Sequence, residues 1–131
     1  MTLELLGLDY EAQQIVLRYR DTDAINQAHK MRSAVSYGLE RFWGERLRLK
    51  EQDAEYWRDV WQTICRLLAD SGINLPDPNA DISNTAGIQE VTQTLWNFPM
   101  DQRKVALAIL LQFCDCLVWW TQRYKPRNQR G

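Results

Sequence analysis

Histidine is nearly absent from this chain: His29 stands alone among 131 residues. That excludes metal centres built on several imidazoles, and any Ser–His or Cys–His pair would have to pass through His29. His29 precedes Lys30 in a polar run, the setting of a solvent-exposed helix histidine. Glycine is also sparse: the six glycines are scattered, so no glycine-rich phosphate loop is present. The cysteines are Cys65, Cys114 and Cys116, each among apolar neighbours, which reads as buried thiols in a reducing cytoplasm. Residues two apart on a helix point to different faces, so Cys114 and Cys116 are poorly placed to share a metal. The pairs Asp21 and Asp23, and Asp77 and Asp81, supply fewer oxygens than a divalent-ion loop needs. No segment sustains a two-residue alternation of β-branched residues, so no strand is expected. The N-terminal residues 1–9 include Glu4 and Asp9 and no basic residue, unlike a signal peptide. These absences predict a non-enzymatic protein with no cofactor and no metal.

What is present is helical. Apolar residues make up 45% of the chain, enough for one core, and a chain of this size buries roughly two-thirds of its unfolded surface. A single domain over 1–125 with a flexible basic tail over 126–131 is expected. A short apolar lead-in (Leu3, Leu5, Leu6, Leu8) precedes a helix over 10–20, capped by Asp9, with Ile15, Val16 and Tyr19 inward. Asp21-Thr22-Asp23 starts a second helix, because short polar side chains accept from the first free N–H groups. It runs over 23–43, or on to 50, with Gly44 as a candidate break. Its apolar stripe is Ala24, Ala28, Met31, Val35, Gly38 and Phe42, whose small residues permit close approach of another helix. A third helix over 53–70 carries the cleanest face: Trp57, Val60, Trp61, Ile64, Leu67 and Leu68. Asp70-Ser71-Gly72 ends it, and the proline-containing segment 74–81 is a loop. A fourth helix covers 85–97, with Ile88, Val91 and Leu95 inward. Pro99 stops it, Asp101 caps a last helix over 102–124, and Pro126 ends that. The fold class is all-α, an antiparallel bundle of four to five helices.

The last helix holds the most apolar stretch, residues 105–120. It is apolar nearly all round, which predicts a central helix wrapped by the others or by a partner. Gln112 and Asp115 interrupt it, and it is shorter than the ~20 residues of a membrane span, so no membrane role is expected. Asp115 has two readings. Burial would raise its pKa and make it a candidate for chemistry. The plainer reading is that it meets water, or bonds an Arg or a Trp N–H across the bundle.

Net charge is −1, yet the charges are segregated. Arg41, Arg46, Arg48 and Lys50 lie close together with only Glu45 opposing them, and Arg123, Lys125, Arg127 and Arg130 fill the tail. Residues 51–101 are strongly acidic, with only Arg58 and Arg66 basic. On a continuous helix Trp43, Arg46 and Lys50 fall on adjoining turns, with Arg41 and Arg48 on another line. Such a face can hold phosphates and stack a base on the tryptophan. Arg103 and Lys104 start the last helix, and Arg123, Lys125 and Arg127 follow its end. These ten residues are the candidate nucleic-acid contacts, with a solvated ion-paired surface as the alternative. Six tryptophans in 131 residues is a high count, and Trp119 and Trp120 are candidates for a protein interface or for completing the core.

Residues 97–125, Asn-Phe-Pro-Met-Asp-Gln-Arg-Lys followed by an Ala/Leu-rich middle and the finish Trp-Trp-Thr-Gln-Arg-Tyr-Lys, resemble the closing helix of the small helical subunits of CRISPR–Cas effector complexes. The resemblance covers under a quarter of the chain and is one of pattern. The acidic pI of about 5.8 departs from it. It implies a cytoplasmic, non-catalytic subunit in antiviral defence, set among other protein subunits and gripping RNA or single-stranded DNA backbone through Lys and Arg. The rival reading is a protein-only adaptor or homo-oligomer using the Ala/Gly stripe or the Trp-rich helix. A third is an enzyme working through Asp115 or the loop acids.

Overall fold

The core begins where α1 (Leu8–Arg18) turns Leu8, Ala12, Ile15 and Val16 inward, each buried. The computed structural model describes residues 7–77, 80 and 82–126. The lead-in Leu3, Leu5 and Leu6, the loop residue Asp81 and the tail residues Arg127 and Arg130 lie outside them. The described residues form six α-helices and no strand. After α1 come α2 (Gln27–Ala34), α3 (Leu39–Glu45), α4 (Glu51–Ala69), α5 (Thr85–Trp96) and α6 (Met100–Tyr124).

The sixth helix arises because the expected second helix is broken. Thr22 caps as the sequence predicts, its Oγ1 accepting from the Ala24 N–H at 3.2 Å. What it starts is a 3₁₀ turn over 23–26, and only then α2. α2 ends at Ala34, and a second 3₁₀ turn over 35–37 leads to Gly38 at φ 100°, ψ 170°, the residue from which α3 begins. That conformation is essentially reserved for glycine, so Gly38 is a corner and not a packing position. Gly44, the expected break, sits inside α3.

α4 matches its sequence pattern. Trp57, Val60, Trp61, Ile64, Leu67 and Leu68 are all buried, joined by Tyr56. Its C-terminus closes with the Ile73 N–H on the Leu68 carbonyl at 3.0 Å and the Gly72 N–H on that of Ala69 at 3.0 Å. This is the paired bonding of a glycine-terminated helix, with Gly72 at φ 81°. Trp61 Nε1 donates to the Pro76 carbonyl at 3.0 Å and ties the following loop to the core. The Asn84 side chain caps α5 by accepting from the Gly87 N–H at 2.8 Å. At α6, Pro99 occupies the cap position and Asp101, the expected cap, lies in the first turn, two positions beyond it.

α6 is not wrapped on all sides. It buries one stripe, Ala106, Leu110, Phe113, Cys114, Leu117 and Thr121, against α1 and α2. Val105, Trp119 and Met100 stay exposed. Its 25 residues are long and apolar enough to cross a membrane, and 39% of its most apolar window is buried within the protein. Asp115 is exposed and pairs with Arg32 at 2.5 Å, so the plainer of its two sequence readings holds.

A candidate anion-binding groove

The segment running from α2 through the Gly38 corner into α3 repeats polar groups every four residues: His29, Ser33, Tyr37, Arg41 and Glu45. Steps of four keep His29 beside Ser33 on α2 and Arg41 beside Glu45 on α3, and the corner between the helices brings both pairs and Tyr37 to the edge of a groove of about 500 Å³. Lys30 and Arg48 also line it, and Trp57 contributes from α4. Ser33 and Ser36 hold the backbone in shape, their Oγ atoms donating to the carbonyls of His29 at 3.2 Å and Ser33 at 2.9 Å. Arg41 lies over the exposed Tyr37 ring, 5.6 Å from its centroid. Arg48 Nη2 sits 2.7 Å from Glu45 Oε2, so these two charges offset each other and Lys30 and Arg41 carry the net charge of the lining.

Two residues expected at a basic face, Arg41 and Arg48, are therefore brought together. Others are not. α3 stops at Glu45, a 3₁₀ turn covers 46–48 and Leu49 is extended, so the helical line Trp43–Arg46–Lys50 does not exist. Trp43 is 4% exposed and packs in the core, out of reach of any base. Arg46 is 9% exposed, and burial, followed by the charge of Arg58, pulls its pKa below the usual guanidinium value. Lys50 is exposed at the start of α4. Arg103 is a structural clamp: it pairs with Glu40 of α3 at 2.5 Å and donates to the Leu95 carbonyl at the end of α5. Its side chain is only 17% exposed and is committed to these two partners. Lys104 beside it is exposed. Arg123 stacks on Trp119 at 3.9 Å, Lys125 is half-buried, and Arg127 lies outside the described residues. Trp119 is half-exposed, whereas Trp120 is half-buried and donates from Nε1 to Asp9 at 2.8 Å.

Sequence reasoning set His29 aside and did not single out Lys30, Ser33 or Tyr37. The row of four-residue steps was the available signal. Charge density drew the reading to 41–50 instead, where the helix turns out to be interrupted.

The three cysteines lie outside this groove. Burial, then Asp77, pushes the Cys65 thiol up to about 12. Burial, then Asp9, pushes Cys116 up to about 11. Cys114 is raised as well, again chiefly by burial. All three are neutral thiols near pH 7, the inert form. Among the described residues no three His, Cys, Asp or Glu side chains gather as metal ligands. No protein-family model, curated protein or solved structure matches this chain.

Proposed function

We propose that this protein is a non-enzymatic helical subunit of a larger cytoplasmic assembly, built as an irregular antiparallel bundle, that holds nucleic-acid backbone in the groove between α2 and α3. In its most concrete form it is a small subunit of a CRISPR-type effector complex. One observation carries the reading. Lys30 and Arg41 converge on a single groove with His29, the Glu45-paired Arg48 and an exposed Tyr37 at its edge. Cations neutralise phosphates and release their counterions, and an exposed ring accepts a stacked base regardless of its identity. Lys104 and Lys50 are exposed cations outside the groove that can extend the contact.

The double substitution K30E/R41E tests this. Each phosphate contact in a single strand adds about 0.7 to the slope of log affinity against log salt, so losing both lowers that slope by about 1.4. Affinity for single-stranded RNA should fall steeply at low salt. Unchanged affinity and slope would reduce the groove to solvated surface.

A second reading, a protein-only adaptor or homo-oligomer, is favoured by a different observation. Leu17 of α1 and Val105 and Trp119 of α6 are exposed apolar side chains on two helices that pack together. A molecular mass that rises with concentration and ignores added RNA would favour it. Trp119, with Trp120 beneath it, is the protein-contact candidate in either reading.

A further inference from the structure

The α1–α6 seam opens into a second groove, larger than the basic one, of about 830 Å³. Its walls are aromatic: Tyr10, which is 63% exposed, Trp119, which is 47% exposed, and Trp120. Trp119 and Trp120 meet edge-to-face at 4.7 Å, and Trp120 stacks on Tyr124 at 5.1 Å, so the wall is a braced unit. Gln13 Nε2 donates to the Tyr124 hydroxyl at 2.6 Å and locks the brace to α1. The charged lining is Asp9 and Asp115 alone, and the amides of Gln13 and Gln112 add further acceptors. Arg32 neutralises Asp115 from α2, which leaves Asp9 as the carboxylate of the lining without an ion-pair partner among the described residues. The Trp120 Nε1–H holds Asp9 Oδ1 at 2.8 Å and fixes where that charge sits.

Aromatic faces beside one oriented carboxylate and several acceptor oxygens suit a flat cation. A guanidinium stacks on the ring and donates several N–H groups in its plane, whereas an ammonium does neither as well. The chain already makes this contact once, with Arg123 on Trp119. The geometry points to the α1–α6 groove as a docking site for an arginine side chain presented by an exposed segment of a protein partner. This rests on the protein-contact role of Trp119 proposed above, and it is independent of nucleic-acid binding because the basic groove is lined by other elements.

The probe is a blocked Gly-Arg-Gly-Arg peptide, titrated calorimetrically at low salt into the full chain, beside the same peptide with citrulline in place of arginine. Citrulline keeps the shape and loses the charge. The arginine peptide should bind, with the citrulline peptide weaker by about tenfold. Asp9→Asn keeps an oxygen for the Trp120 N–H and removes the charge, so it should weaken the arginine peptide several-fold with an unchanged thermal midpoint. Trp119→Ala should weaken it about as much. The Asp9 variant should bind RNA as the unmodified chain does, which separates this site from the basic groove. Equal binding of both peptides, full binding by the Asp9 variant, or no heat with the unmodified chain would each overturn the proposal.

Discussion

Gly38 and Gly44 lie six residues apart and ask opposite things of a side chain. Gly38 holds φ 100° and ψ 170°, and a Cβ built on it would meet Glu40 Oε2 at 3.1 Å. Glu40 is the partner of Arg103, so a substitution there also disturbs the tie between α3 and α6. Gly44 has ordinary helical geometry, and nothing lies within 4 Å of an added Cβ. Gly38→Ala should therefore cost about 2–3 kcal/mol, since that backbone region is nearly closed to other residues. Gly44→Ala should add about 0.5–1 kcal/mol by improving helix propensity and restricting the unfolded chain. Urea unfolding of both variants checks the pair. If Gly38→Ala melts with the parent, the corner between α2 and α3 does not need glycine.

At the scale of elements, legibility followed regularity. α4 was readable because six apolar positions keep one helical face without interruption, and the glycine that ends it lies beyond the pattern. The break at Gly38 was not readable. Gly38 falls on the apolar stripe, where a glycine is equally consistent with close packing, and a positive φ leaves no trace in periodicity. The basic face failed for the same reason, since its register assumed a helix through residues that form a 3₁₀ turn. α6 misled in another way: apolar composition all round does not mean contact all round. Only the stripe from Ala106 to Thr121 is closed off, while Val105 stays open. Phe113→Ala, in that stripe, should cost about 3–5 kcal/mol, the range for emptying a buried aromatic site. Val105→Ala should stay within about 0.5 kcal/mol, as surface changes do. Equal losses at the two positions, measured by chemical denaturation, would mean that α6 is enclosed on both sides in solution.

Over the whole molecule, burial of weak acids ties stability to pH. Tyr19 and Tyr56 are both raised above the ordinary 10.0, Tyr56 by burial foremost and Tyr19 by burial together with its hydrogen bond to Asp59. That bond is 2.6 Å long, and Arg18 shares the same carboxylate oxygen at 2.7 Å. The three thiols are raised above 9.0. All five of these shifts are upward, so through these groups the folded chain keeps protons that the unfolded chain releases. By linkage, stability falls with pH wherever the folded state binds more protons. Below the ordinary thiol and phenol values the contribution is complete. It drains as pH climbs through 9.0 and 10.0 toward about 11 for Cys116 and about 12 for Cys65. The urea midpoint, taken with a reductant present, should be flat from pH 7 to about 8.5 and then fall continuously to pH 11. The fall should begin with the thiols, because their unfolded values are lower. Replacing Cys65, Cys114 and Cys116 together with alanine should shift its onset upward, toward the phenol range. A midpoint unchanged at pH 11 would mean that these five groups meet water in the folded protein, and that the core drawn around Tyr56 and Cys114 is not closed.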